Sequence, residues 1–346
     1  MKALFLQAPG DKPDIRLRDV STPHVGENDA LVQIAACGLC HHDVAVMAGL
    51  LRRGVRPDII MGHEISGVVQ RIGASVQTID EGDRVVAALT SFCGNCDRCR
   101  VGRQYRCREG KGVGHAINGG FAQYVALPAT SLIPIPDGVD LVEACVAACP
   151  VGVGIQAIAD AARVHQGETV LVAGAGGGLG AHAVQVAAAQ GARVIGVTSS
   201  PNKIQAIEAL GDIEVILSTE DLDFSEIAMA LTGDESADVV VNTVGSAVFA
   251  SCLASLSQFG RMVVMGEVTG ANANFSLTEV LFRDATVVGS TGASPGNIAK
   301  ALDLMSTGAV KPVIHQRMDL SNAEDAFKHV RSRQVFGRIV LIPPSD

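Results

Sequence analysis

The sequence predicts an α/β protein of two domains: a mostly antiparallel β domain with inserted loops, and a parallel, doubly wound sheet. Three observations carry this. The chain has 346 residues, 48% hydrophobic and 18% charged, too long for one ordinary core and unlike a disordered composition. Over the first 150 residues, short apolar runs (31–34, 67–72, 84–88 and 121–127) are separated by Gly, Pro and Asp turns, a β pattern. From about residue 151, short apolar strands alternate with helical patterns, which builds a parallel sheet covered on both faces.

In that second part, a strand at 170–173 leads into a glycine run and a helix reaching Gln190. Strands are expected at 194–197, 215–217, 239–243, 262–265 and 286–288, with helices at 203–210 and 247–257 between them. After about 289 come helices at 298–306 and 323–330 and a final strand at 337–341. The expected domains are therefore 1–150 with 289–346, and 151–288.

Composition narrows the function. A net charge of -9, no Trp and two Tyr argue against a general nucleic-acid binder. One local exception is the run Arg98, Arg100, Arg103, Arg106, Arg108 and Lys111, set against Asp97 and Glu109. It reads as a solvated basic face; the sharper alternative, a zinc-ribbon nucleic-acid module, lacks an aromatic or amphipathic companion. Nine cysteines, mostly with metal-type spacing or neighbours, fit a reducing compartment better than a disulfide framework. The N-terminal residues form no apolar signal segment, because Pro9, Gly10 and Asp11 interrupt them. The longest uncharged stretch, 144–159, is short for a membrane span and carries Pro150, Gly152 and Gly154. A cytoplasmic protein without membrane or nucleic-acid partners is expected.

Four cysteines, Cys93, Cys96, Cys99 and Cys107, lie in CGNCDRCRVGRQYRC. Thiolates hold zinc tetrahedrally, and a structural site takes four protein ligands and leaves none open. The alternative is a set of fortuitous thiols.

The glycine loop reads VLVAGAGGGLGAHAVQVAAAQG. Gly174, Gly176, Gly177, Gly178, Leu179 and Gly180 stand between a strand and a helix, where glycines permit close approach to a pyrophosphate at the helix N-terminus. The strict GxGxxG register fails at Leu179. The position after the strand, at the head of a βαβ series, is what makes the motif specific. The second strand ends at Thr198 and not at an acidic residue, so no carboxylate repels a 2′-phosphate. Ser199, Ser200 and Lys203 are placed to receive one. This favours NADP(H) over NAD(H); the alternative is that Ser200 and Pro201 merely start a helix.

Cys40 in CGLCHHD, His63 in GHE and Cys149 in AACPVGVG are further metal-type side chains. Two thiolates and an imidazole leave a fourth zinc position open, as catalysis requires, but such wide sequence separations do not prove a site.

Together, CGLCHHD, GHE, the CxxCxxCx7C lobe, AACPVGVG, the glycine loop and the closing FGRIVL resemble a zinc-dependent medium-chain alcohol dehydrogenase over essentially the whole length. The resemblance implies a GroES-like β catalytic domain interrupted by a Rossmann domain. It implies a catalytic zinc on Cys40, His63 and Cys149, with Cys37 a bystander, and a structural zinc on Cys93, Cys96, Cys99 and Cys107. Asp43 is expected to orient His63, and Glu64 to sit behind the catalytic metal. Arg338 is expected near Glu64 and the cofactor phosphates, and His41 near the pyrophosphate. The implied activity is reversible hydride transfer between an alcohol and NAD(P), with a homotetramer or homodimer as the assembly.

One departure concerns the proton. Ser or Thr usually stands two residues after the zinc cysteine; here it is His42, offered as direct proton acceptor, with a pocket wall as the alternative. The histidine some members carry three residues further on is Ala45 here. Leu50, Leu51, Leu89, Val153 and His115 are candidate pocket residues by position. Two competing readings are an enone or enoyl-thioester reductase of the same superfamily and a non-enzymatic cofactor-binding structural protein.

Overall fold

A strand buried on both faces must be apolar throughout, and β3 (Asp29–Leu39) is that strand in the first half of the chain: nine of its eleven residues are apolar or Gly, and eight are buried. In the computed structural model, which describes residues 1–51, 54–218 and 223–345, nine other strands surround it in the same half. They are β1 (Lys2–Ala8), β2 (Asp14–Asp19), β4 (Ile59–Ile60), β5 (Glu64–Ile72), β6 (Arg84–Ala87), β7 (Thr90–Ser91), β8 (Lys111–Gly112), β9 (Tyr124–Pro128) and β10 (Leu132–Pro134). Helices α1 (His41–Met47) and α2 (Asp97–Arg100) lie in the intervening segments. Helix α3 (Pro150–Ile155) ends this half.

The next part alternates. Strands β11 (Thr169–Ala173), β12 (Arg193–Thr198), β13 (Ile213–Leu217), β14 (Ala237–Asn242), β15 (Leu256–Val264) and β16 (Thr286–Gly289) are separated by α4 (Gly180–Ala189), α5 (Ile204–Glu208), α6 (Ser225–Leu231), α7 (Phe249–Ala254) and α8 (Leu277–Phe282). The six strands form one sheet in the order β13-β12-β11-β14-β15-β16, every pair parallel. This is a Rossmann-like doubly wound sheet with its order reversing between β11 and β14. The chain ends with α9 (Pro295–Ser306), β17 (Ile314–Asp319), α10 (Ala323–Arg331) and β18 (Arg338–Ile342). β18 returns to pair antiparallel with β3, in a sheet ordered β10-β6-β5-β3-β18-β17 with β9 also on β3. The fold class read from the sequence, a GroES-like β domain plus a Rossmann sheet, is the fold observed.

Two compact units result: Met1–Gly152 with Gly292–Thr307 and Ile314–Asp346, and Val153–Thr291 with Gly308–Val313. The first has a core running from Ala3 to Leu132 and again from Leu320 to Leu341. The second packs Leu171, Ile195, Val240 and Met262 from its strands against Cys252 and Leu253 of α7. Segment Gly308–Val313, expected with the first domain, packs in the second unit. Gln185 on α4 holds the Lys311 backbone at both its N–H and its carbonyl (2.8 and 3.0 Å), and His182 Nε2 accepts from the Val313 N–H at 3.0 Å. The helix expected at 247–257 stops at Ala254, because Leu256, fully buried, already pairs with Ala237.

One helical run, Glu143–Ala161, is long and apolar enough to cross a membrane by length and composition, and 83% of it is buried inside the protein. That burial is what a core helix shows.

Candidate metal centre and cofactor loop

The first unit brings together side chains that are far apart in sequence. Cys40, His63, Glu64 and Cys149 offer ligand atoms all within 4.8 Å of one another, and all four residues are buried. Cys40 ends the segment after β3 and caps α1, His63 immediately precedes β5, and Cys149 immediately precedes α3. Because β3 and β5 pair antiparallel with Gly38 opposite Glu64, Cys40 and His63 converge at one end of the ladder. Gly38 was missed as a site residue. A Cβ there would collide with the Glu64 carboxylate, and the signal available was a glycine inside a strand, which marks close approach.

Asp43, 2% exposed, serves both neighbours. Its Oδ2 accepts from the Cys40 backbone N–H at 2.9 Å, and its Oδ1 stands 3.3 Å from His63 Nδ1. That places a carboxylate beside Nδ1 and leaves Nε2 of His63 for a metal, the approach itself falling outside hydrogen-bond geometry. Arg338, at the start of β18, lies buried against the set. It donates from Nε and Nη2 to the Glu64 carboxylate at 2.8–3.1 Å, and Nη2 also reaches Cys40 Sγ at 3.4 Å and Cys149 Sγ at 3.7 Å.

The electrostatics suit a cation. Contact with the Cys149 thiol holds the Cys40 thiol well below its ordinary value, opposed by burial and helped by Arg338. The same contact, together with burial, pushes Cys149 well up. One proton of the pair leaves easily, and the second leaves when a cation takes its place. Burial raises the Glu64 carboxyl against the pull of Arg338. A zinc ion fits this donor set: two thiolates and an imidazole with a carboxylate beside it, and Glu64 as a fourth potential ligand.

The ring of His42 stands edge-on to His63, with centroids 5.1 Å apart, and 5.2 Å from His115 on its other side. Burial lowers both, His115 to about 4 with help from the neighbouring histidines. His41, which opens α1, is exposed. Leu50 and Leu51 are 67% and 43% exposed. Leu89 is half-buried, and Val153 is buried in the second unit. Cys37 is fully buried beside the centre and outside its ligand set.

The second cluster, Cys93, Cys96, Cys99 and Cys107, also has all its sulfurs within 4.8 Å. Three of the separations are 3.5, 3.9 and 3.5 Å. A tetrahedron of sulfurs around zinc, with bonds of about 2.3 Å, has edges of about 3.8 Å, so the spacing matches. Backbone N–H groups of Arg108 and Cys99 bring Cys96 down to about 6, whereas burial and the other thiols push Cys99 to about 12. The basic run is partly used internally: Arg108 pairs two-pronged with Asp97 at 2.6 Å, and Arg98 donates to the Arg106 carbonyl at 2.8 Å.

In the second unit, the glycine loop joins β11 to the N-terminus of α4. Gly174 and Ala175 both donate to the Val197 carbonyl, and Gly177 donates to Gly174. A side chain at Gly176 would meet Lys203 Cδ at 2.7 Å. Lys203 is buried and donates from Nζ to the Gly176 carbonyl at 3.3 Å, and Thr198 Oγ1 accepts from the Ser200 N–H at 3.2 Å. Ser200 holds the N-cap place with Pro201 first in the turn, but its side chain makes no capping bond. Ser199 is exposed. Gly178, Leu179 and Gly180 complete the turn into α4, the Gly178 carbonyl bonding to His182 Nδ1 at 2.8 Å.

Residues 26–137 match the alcohol dehydrogenase GroES-like domain, and residues 178–307 match the zinc-binding dehydrogenase domain. An acryloyl-coenzyme A reductase of Sulfurisphaera tokodaii is 33% identical over 99% of this chain and 100% of its own. Among solved structures, an NAD-dependent alcohol dehydrogenase superposes with a TM-score of 0.91 at 30% identity, covering 99% of both chains. A zinc-binding dehydrogenase from Sinorhizobium meliloti 1021 bound to NADP gives 0.86 at 28% identity, again covering 99% of both. The chain belongs to the zinc-dependent medium-chain dehydrogenase/reductase family, and it is an oxidoreductase of that family.

Proposed function

We propose that this protein is a zinc-dependent alcohol dehydrogenase or carbonyl reductase, moving hydride reversibly between a small alcohol and NAD(P). The observation that carries the reading is the convergence of Cys40, His63 and Cys149 with Asp43 behind the imidazole. Zinc bound there supplies polarisation of an alcohol or carbonyl oxygen, and the nicotinamide takes or gives the hydride. The chain's own residues set the stage. Asp43 holds His63 in one orientation, Arg338 holds Glu64, and His42 beside His63 exchanges the substrate proton. The four-cysteine lobe takes a second, structural zinc.

For the cofactor, Thr198 at the β12 end and the buried Lys203 support NADP(H) over NAD(H). Burial lowers the Lys203 ammonium, and a 2′-phosphate beside it would raise it again. Ser199 and Ser200 are assigned to the ribose and its 2′-phosphate in the same proposal; Arg338, expected near the phosphates, is instead 3% exposed with its donors on Glu64 and the two thiols. We take the assembly to be a homotetramer or homodimer in the cytoplasm, a choice supported by the nine free thiols and by exposed apolar side chains Leu277, Leu281 and Phe282 on the second unit.

A second reading, reduction of an enoyl thioester, is favoured by the acryloyl-coenzyme A reductase at 33% identity. Both readings are tested by following NADPH and NADH oxidation with an aldehyde and ketone panel and with acryloyl-coenzyme A, on the native protein, Cys149→Ser and His42→Ala. Carbonyl turnover that collapses in Cys149→Ser, with loss of one of two zinc ions per chain, is the expected result. Acryloyl-coenzyme A turnover that survives Cys149→Ser would overturn it in favour of the thioester. A pH profile of kcat unchanged in His42→Ala would return that residue to a pocket wall.

A further inference from the structure

Two loops leave the carboxyl ends of β14 and β15, and one side chain ties them together. The Glu267 carboxylate accepts from the Ser246 N–H at 2.8 Å through Oε2. Through Oε1 it accepts from Ser246 Oγ at 3.0 Å and from Thr269 N–H, Thr269 Oγ1 and Gly270 N–H, each at 2.9 Å. Ser246 Oγ and Thr269 Oγ1 also bond each other at 2.8 Å. Partial burial alone would raise this carboxyl; the donors from Ser246 and Thr269 bring it to about 2.

The backbone is shaped around that carboxylate. Gly245 has φ +101°, and a Cβ there would lie 2.5 Å from Glu267 Oε2 and 2.7 Å from its Cα. Asn242, fully buried, accepts from the Val244 and Gly245 N–H groups and donates to the Gly245 carbonyl. The Val268 N–H bonds to the Val244 carbonyl at 3.0 Å, and Thr243 Oγ1 bonds to the Ala173 carbonyl at 2.7 Å, next to the glycine loop. The result is one continuous hydrogen-bonded rim from Ala173 to Gly270.

Ligands of doubly wound sheets bind outside the carboxyl ends of the strands, where the strand order reverses. The β11–β13 half carries the glycine loop and the adenosine-ribose position at Thr198. The β14–β16 half therefore serves the other mononucleotide, the nicotinamide. We propose that Glu267 is a positioning residue for the nicotinamide ring of the cofactor, locking the loops after β14 and β15 into one rigid wall. Its side chain spends both oxygens on the loops and acts through them. The inference rests on the dinucleotide reading of the glycine loop and adds to it the residue that holds the second half of the site.

The experiment measures binding of NADPH, NADH and ADP-ribose to the full chain and to Glu267→Ala and Glu267→Gln, alongside steady-state kinetics. ADP-ribose keeps the second ribose and lacks only the nicotinamide ring, so it reports the cofactor contacts other than those of the ring. The expected result for Glu267→Ala is a loss of about tenfold in NAD(P)H affinity, the scale of one lost charge-assisted hydrogen-bond network, with ADP-ribose affinity unchanged. The cofactor KM rises with a smaller effect on kcat. Glu267→Gln keeps Oε1 but faces the Ser246 N–H with a second donor, so it should lie between the two. Dinucleotide affinity unchanged in Glu267→Ala, or ADP-ribose weakened in parallel, overturns the proposal. Native protein that binds neither ligand would overturn the dinucleotide reading itself, a result distinct from either.

Discussion

Arg338 is 3% exposed and Glu64 fully buried, and their bond joins β5 to β18 across 274 residues of sequence. Removing one partner of a buried ion pair leaves an uncompensated charge, at a cost of about 3–5 kcal/mol. Arg338→Met is therefore expected to lower unfolding free energy by about that much at neutral pH, read from urea denaturation; a loss below about 1 kcal/mol would show that the pair is not structural. The pH sign follows from Glu64. Its carboxyl is already raised by burial, and without Arg338 it rises further, so the folded variant binds the extra proton. The deficit then narrows as pH falls towards the ordinary carboxylate range and widens as pH rises through the folded value. At this scale the sequence was legible where ligands cluster, as at Cys93, Cys96, Cys99 and Cys107. It was not legible at Gly38, whose role is to leave room for a carboxylate that pairing alone brings opposite.

The lobe around α2 shows how an element can depend on a metal. Between Cys93 and Cys107 the only regular structure is the four residues of α2 and a three-residue 3-10 turn, Gln104–Arg106. Cys99 and Cys107 are its only buried residues, so little apolar burial holds it in shape. A segment without a core takes its stability from bound metal. Chelation should therefore expose the backbone at Arg98, Arg100, Arg103 and Arg106 to trypsin, with new cuts mapped by mass spectrometry. A lobe that stays uncut after both metals are removed would show that Asp97–Arg108 and the turn bonds suffice. The four short runs expected in this unit fall on β3, β5, β6 and β9, the first far shorter than its eleven-residue strand, whereas β1, β2 and β17 were among the strands not foreseen. The strands of the second unit were foreseen closely, apart from β15, which begins at Leu256 and not at 262, because a strand buried on both faces is written as a run of β-branched residues, as in TVLVA and ADVVVN.

At the scale of the molecule, the two chemistries sit on different compact units. Every side chain of both cysteine centres lies in the first, and the glycine loop with Thr198 and Lys203 lies in the second. Removing metal should abolish turnover and leave ADP-ribose affinity within about twofold, because the glycine loop, Thr198 and Lys203 that are assigned to it all lie in the second unit; calorimetric titration before and after chelation checks this. Parallel loss of ADP-ribose binding would mean that the metal supports the second unit as well. The sequence by itself determined the two-part architecture, the four-cysteine lobe and the glycine loop, because each is local: a period, a spacing, a motif of consecutive residues. The family resemblance implied that Cys40, His63 and Cys149 converge with Asp43 and Arg338 beside them, and the tertiary structure brings them together; only the tertiary structure decided that Gly38 leaves room for Glu64, that Gly308–Val313 joins the second unit, and that Glu267 ties two loops. Those depend on strand register and on which chain segments meet after long separations, and no local pattern in the sequence records such meetings.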